Sequence, residues 1–277
     1  PPPPLVWDYR TGPWGRLRNW VAKKALISAY ANYSMEETSG VDPLMLVFDF
    51  DHGLAHIAQQ PAFFEFPRQF TPAHLHYAGP WHRMDRDDSS VEFPWDWLDD
   101  SQPLIYASMG TLQNRLSYVF DAILQAVADL PVQVVLSKGG GEVPISVPVP
   151  ENVLLVERAP QLRLLERASY VITHAGLNTA LECLAQGVPM LCLPVTNDQP
   201  GVAKRVEWLG AGRVIPVERA TAQKIGRELR LLMEDPRAKE VTQEIKKRIA
   251  REKGLSRAAE IVEQALQTRQ PVLRAEV

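Results

Sequence analysis

The sequence has little cysteine: two residues in 277, Cys183 and Cys192. One stands in a helical pattern and the other in a strand pattern, both among apolar residues. That excludes a disulfide framework and reads as two small buried hydrophobes in a reducing, cytoplasmic compartment. Long hydrophobic runs are missing too. No stretch reaches the roughly 18 apolar residues of a transmembrane helix, and no signal-peptide pattern is present. The net charge is only -3, so nothing draws the whole chain toward nucleic acid or anionic membranes. Any phosphate must be held by a local site. The two best-known phosphate fingerprints, Gly-x-Gly-x-x-Gly and Gly-Lys-Ser/Thr, are absent. Gly139-Gly140-Gly141 imitates the first, but Val143-Pro144 follows where a helix should start, so it reads as a flexible turn.

What is present is an ordinary globular composition, 45% hydrophobic and 23% charged. The length suggests one large domain, or one domain plus part of another. Residues 1 to about 100 are irregular and rich in Pro and Trp. A helix is expected over Arg16–Tyr33 and a buried run over Leu44–Phe50, followed by QQPAFFEFPRQF and a strand-like HLHYAG. A linker is expected around Arg83–Pro94. The start Pro1-Pro2-Pro3-Pro4 reads as an extended connector inside a longer protein. Trp7, Trp14 and Trp20 interleave with Arg10, Arg16, Arg18, Lys23 and Lys24. Such a segment suits a membrane interface or a lipophilic acceptor; the simpler alternative is a helix with a buried aromatic face and a solvated basic one.

From Pro103 onward the pattern is regular. Strand-like runs fall at 104–108, 132–136, 153–156, 170–173, 189–193 and 212–215. Helical periodicity falls at about 113–129, 161–167, 177–186, 199–208, 221–234 and 237–266, the last broken near Gly254. Alternating strands and helices predict a parallel sheet covered on both faces, and continuous apolar strands fit double-sided burial. The expected fold class is therefore α/β: a doubly wound, Rossmann-like domain over 98–267. Ligands of such sheets sit outside the carboxyl ends of the strands. That rule selects the loops Met109–Thr111, Glu157–Gln161, Thr173–Thr179 and Pro194–Pro200.

The chemistry-bearing residues fall in those loops. Thr173-His174-Ala175-Gly176-Leu177-Asn178-Thr179 follows a strand and opens a helix. A helix N-terminus offers unsatisfied N–H groups and partial positive charge to a phosphate. Gly176 admits close approach; His174, Asn178 and Thr179 add hydrogen-bonding groups. Glu182, four residues after Asn178, shares its helix face and suits two vicinal ribose hydroxyls. The alternative is a plain helix start with an incidental histidine. Asp198-Gln199 at the next strand end could grip sugar hydroxyls, or simply cap a helix before Pro200. Ser108-Met109-Gly110-Thr111 is a weak phosphate signal or a turn. Arg158-Ala159-Pro160-Gln161 offers a flat guanidinium and backbone groups to the edge of a base, or a surface arginine.

The phrases APQ, HAGLNTALE, GVPM and NDQPGVAKRV resemble the donor signature of inverting UDP-sugar-dependent glycosyltransferases of the GT-B fold. Arg158 in place of a base-stacking Trp, together with AGLNT, TNDQP and QQPAFFEFP, looks most like the carotenoid (zeaxanthin-type) glucosyltransferases. The resemblance implies that 1–97 is the end of an acceptor domain with its linker, 98–267 the donor-binding domain and 268–277 a tail. It implies a UDP-hexose as co-substrate, glucose above all, a hydrophobic acceptor, and no metal or other cofactor. Nucleic acid is not an expected partner; peripheral membrane contact is the lesser of the two readings of the Trp- and Arg-rich segment. Arg158 and Ala159 would hold uracil, with Gln161 beside them. His174, Gly176, Asn178 and Thr179 with Ser108, Gly110 or Thr111 would hold the diphosphate, Glu182 the ribose, and Asp198 and Gln199 the sugar. The family's catalytic base is a His early in the N-terminal domain. His52, His56, His74, His76 and His82 lie too late to match it, so no catalytic residue is assigned. A donor-binding half of a split transferase is the alternative expectation.

Overall fold

The computed structural model describes residues 12–34, 53–68, 71–81, 91–110, 116–140 and 143–274. The Leu44–Phe50 run, Thr111, and most of the expected linker lie outside them. In chain order the helices and strands are α1 (Pro13–Ser34), β1 (His56–Ala58), β2 (Leu75–Tyr77), β3 (Leu104–Ser108), α2 (Ser117–Val127), β4 (Gln133–Ser137), β5 (Val153–Val156), α3 (Gln161–Arg167), β6 (Tyr170–Thr173), α4 (Leu177–Gln186), β7 (Met190–Cys192), α5 (Gln199–Trp208), β8 (Gly212–Val214), α6 (Ala222–Met233), α7 (Pro236–Ile249) and α8 (Gly254–Thr268). No described helix is long and apolar enough to cross a membrane.

The chain divides into two compact units, cut at Trp81–His82 and at Arg251–Glu252. The cut differs from the domains expected at 97/98 and 267/268. Helix α8 groups with the N-terminal segment because backbone contacts tie it there. A Cβ on Gly254 would stand 2.1 Å from the Pro80 carbonyl oxygen, so only glycine fits. Beyond α8, Val272 N–H donates to the Leu54 carbonyl at 2.7 Å and Arg274 N–H to that of Ala73 at 2.7 Å. In this unit β1 and β2 pair in parallel. His76 Nε2 lies 2.8 Å from the Val272 carbonyl, and the His56 and His74 rings stack obliquely. In helix α1 the tryptophans are not buried: Trp14 and Trp20 are 82% and 57% exposed, while small Gly15 and Ala22 face inward.

The other unit is the doubly wound domain. Its six strands are all parallel, in the order β5-β4-β3-β6-β7-β8. Alternation along each strand sends Ile105, Ala107, Val134, Leu136, Ile172 and Leu191 to one face. There they meet Phe120, Ile123 and Leu124 of α2 and Ile225, Leu229 and Leu232 of α6. Tyr106, Val171 and Cys192 therefore point to the opposite face, which α3, α4 and α5 cover. Helix α4 ends at Gly187, left-handed at φ 71, whose carbonyl accepts from Thr242 Oγ1 at 2.9 Å and Gln243 Nε2 at 3.1 Å. Those bonds lock α4 to α7. Both cysteines are buried and form no disulfide, and burial pushes both thiols up, so they are inert. From β3 the sheet grows one way to β4 and the other way to β6. This reversal opens a crevice at the strand ends, the usual ligand position of such sheets.

Candidate functional site

Three adjacent strands end on the same device. Ser137, Ser108 and Thr173 sit in register at the carboxyl ends of β4, β3 and β6. Each side-chain oxygen accepts the N–H two residues on: Gly139 at 3.4 Å, Gly110 at 3.3 Å and Ala175 at 3.2 Å. Each of those acceptor-bound residues turns left-handed, at φ 75, 80 and 62. The hydroxyl replaces a ladder partner that the turning chain has lost. Three sharp turns side by side make the floor of a pocket of about 630 Å³. That volume is ordinary for a small-molecule site.

Ten of the thirteen residues singled out in the sequence line this pocket: Ser108, Gly110, Arg158, Ala159, Gln161, His174, Gly176, Asn178, Thr179 and Glu182. Thr111 lies outside the described residues. The His174 ring is wedged between two glycines. A Cβ on Gly110 would stand 2.8 Å from its Cε1, and one on Gly176 would stand 2.7 Å from its Nε2. Its Nδ1 is buried without a hydrogen bond. Burial lowers the imidazole pKa below its ordinary 6.5, with the Ser108 backbone and the Asp198 carboxylate pulling the other way. Gly176 gives α4 no side-chain cap, and Leu177, Asn178 and Thr179 of the first turn line the pocket. An anion fits there.

Glu182 is 2% exposed, far from the surface position usual for a carboxylate. Gln161 Nε2 donates to its Oε2 and lies 3.4 Å from Thr179 Oγ1. Gln161 Oε1 accepts from the buried Tyr106 hydroxyl at 3.2 Å. At the other end Arg158 is exposed and lies along the glycine turn: a Cβ on Gly140, φ 82, would stand 2.9 Å from its Nε. The turn expected to be merely flexible is thus the shelf that carries this guanidinium. Gly140 N–H donates to the Glu157 carbonyl at 2.8 Å, fixing the shelf to the end of β5.

Asp198 and Gln199 do not line the pocket. Gln199 is buried, and its Oε1 accepts from Val195 N–H at 2.9 Å and Thr196 N–H at 3.1 Å. It pins its own loop. Asp198 is exposed at the start of α5 but makes no side-chain cap, because its backbone is already helical. Its carboxylate is near enough to His174 to favour the charged imidazole. Tyr106, Ser137, Gly139, Val91 and Leu177 also line the pocket and were not anticipated. Ser137 and Gly139 had a legible signal: Ser-x-Gly closes both β3 and β4. Tyr106 had none, because a strand tyrosine reads as core.

A family model described as UDP-glucoronosyl and UDP-glucosyl transferase matches residues 32–254. The sequence is 31% identical over 227 residues to a zeaxanthin glucosyltransferase of Pantoea ananas, covering 79% of this chain and 51% of that protein. It is 29% identical over 216 residues to a demethyllactenocin mycarosyltransferase of Streptomyces fradiae, covering 76% and 46%. The solved structure of CalG4, the calicheamicin glycosyltransferase, superposes with a TM-score of 0.70 at 23% identity, over 96% of this chain and 69% of that one. Glycosyltransferase VinC in complex with dTDP gives 0.60 at 24%, over 91% and 58%. These neighbours bear out the α/β GT-B fold class. The chain spans about half the length of the curated relatives it matches. By the family match, which runs over most of its length, the chain belongs to the UDP-glucoronosyl and UDP-glucosyl transferases.

Proposed function

We propose that the pocket binds a UDP-hexose, glucose by preference, and that the whole protein transfers the hexose with inversion to a hydroxyl of a hydrophobic acceptor such as a carotenoid. One observation carries this reading: an anion-ready helix start beside His174 lies one helical turn from a buried, oriented carboxylate, Glu182. That spacing suits a diphosphate next to a ribose. Arg158 and Ala159 take the base; His174, Gly176, Asn178 and Thr179 with Ser108, Gly110 and Thr111 take the diphosphate. Asp198 takes the hexose; Gln199, its Oε1 committed to the loop, could add only a donated bond. In the transfer a base removes the acceptor hydroxyl proton and the oxygen attacks the anomeric carbon. The bond to the β-phosphate oxygen breaks and UDP departs. The N-terminus of α4 and His174 stabilise the charge on the leaving diphosphate, and the reading invokes no metal. It places the protein in the cytoplasm, with exposed Trp14 and Trp20 as points of peripheral membrane contact.

A second reading, a donor-binding half of a split transferase, draws on the pocket's imidazoles. Among the described lining residues His174 is the one histidine, and it serves the leaving group. Thermal unfolding and calorimetry with UDP, TDP, GDP and UDP-hexoses test the first reading. UDP and UDP-glucose should bind and stabilise; no shift at millimolar UDP refutes it. Transfer from UDP-glucose to hydrophobic alcohols by this chain alone should not exceed hydrolysis, and robust transfer would retire the second reading.

A further inference from the structure

We propose that Tyr106 is a positioning residue which, through Gln161, sets the discrimination between ribose and 2′-deoxyribose in the bound nucleotide. The inference rests on the nucleotide-sugar reading of the pocket. Tyr106 occupies the middle of the central strand β3, 2% exposed, with its hydroxyl under the pocket floor. Its strand neighbours Ile105 and Ala107 are given over to the opposite core. Tyrosine in such a place needs partners for its hydroxyl, and a phenylalanine would fill the same space without them.

The partners form a directed chain. Ser108 follows Tyr106 on the same face of β3, with Ser137 in register on β4. The phenol proton goes to Gln161 Oε1 at 3.2 Å. Burial pushes the phenol up, so it keeps that proton. With Oε1 engaged as an acceptor, the Gln161 amide has one orientation, and its Nε2 faces Glu182 and Thr179. The flipped amide would turn its oxygen against the Glu182 carboxylate. The chain therefore fixes the carboxylate from below. A carboxylate has about four lone-pair sites, so the bond from Gln161 leaves capacity for a vicinal diol. A diol gains from a held carboxylate; a lone 3′-hydroxyl gains less. A site built around a hydroxyl rejects the analogue that lacks it, because its polar group is left unpaired.

The test is a ratio of dissociation constants, UDP against 2′-deoxy-UDP, by calorimetry on the purified chain. Wild type should favour UDP by tenfold or more. Tyr106→Phe, with near-native thermal unfolding, should lose at least fivefold of that preference, chiefly through weaker UDP binding. A folded Tyr106→Phe with the wild-type ratio overturns the proposal, since a purely structural tyrosine would weaken both ligands alike. Glu182→Ala separates the two levels of argument. If it keeps the ratio, the ribose reading of the pocket itself is wrong. If it abolishes the ratio and Tyr106→Phe does not, only the role of Tyr106 falls. Should Tyr106→Phe fail to fold, Gln161→Met cuts the same chain at its next link; the same loss is expected, and an unchanged ratio overturns the proposal.

Discussion

Gly176→Ala is the sharpest probe of the pocket, because its backbone cost is small and its steric effect is aimed at one ring. Gly176 has φ -59 and ψ 139, a conformation alanine adopts without strain. Its new methyl would stand 2.7 Å from His174 Nε2 and 3.2 Å from Cε1. To restore an ordinary contact of 3.4 Å the ring must withdraw by about 0.7 Å. On its other side lies Gly110, which has no Cβ, so the ring must shift into that gap and leave its present position. A charge-assisted hydrogen bond from His174 to a diphosphate is worth about 1.5–3 kcal/mol. Its loss raises the UDP dissociation constant roughly 10- to 150-fold.

Stability should change little by comparison. Alanine at this N-cap costs on the order of 1 kcal/mol, and the stiffer unfolded chain returns about 0.4–1 kcal/mol. Calorimetry with UDP, alongside thermal unfolding, measures both. The methyl could also obstruct the ligand directly, and a cycle with His174→Ala isolates that. If the ring carries the effect, Gly176→Ala costs little affinity once His174 is gone. Wild-type affinity in folded Gly176→Ala refutes a diphosphate role for His174. An undiminished cost in the His174→Ala background refutes the route through the ring.

His174 also makes a pH prediction. Its folded value is lowered by burial, so between that value and 6.5 the unfolded chain binds more protons than the folded one. Stability should therefore fall as pH drops through that window, and His174→Gln should flatten the urea midpoint there; an unchanged slope in the mutant removes His174 as the cause. Asp198→Ala should leave UDP affinity nearly intact while UDP-glucose loses about 1–3 kcal/mol. Its unfolding midpoint should hardly move, since the carboxylate caps nothing, and an unchanged ratio of UDP to UDP-glucose affinity takes Asp198 out of the sugar site.

The doubly wound unit was legible because each level of its sequence agrees with the next. Helices 161–167, 177–186 and 199–208 fall on their expected residues, since Pro160, Gly176 and Pro200 mark their starts and Gly187 ends the second. The strand-end rule selects the loops that carry eight of the ten pocket-lining candidates, with Ser108 and Glu182 just outside them. Periodicity placed the break of the last helical run near Gly254, where α8 begins, but not the unit that α8 joins. Helix α8 has apolar positions of helical period, yet what assigns it to the N-terminal unit is the fit of Gly254 against Pro80, a contact between residues 174 positions apart. Gln199 was only half legible for a related reason. Its position after a strand is that of a ligand residue, but its oxygen folds back on two N–H groups of its own loop. Sequence spacing reports which side chains reach a strand end; it does not report which of them the loop has already used. The hydroxyl row shows the converse. Ser137, Ser108 and Thr173 are spent on turn geometry, and that expenditure brings Gly110, Gly139 and His174 to one floor. A residue committed to the backbone can therefore matter as much to the site as one that faces the ligand, and the repeated Ser-x-Gly at two strand ends is the trace that this arrangement leaves in the sequence.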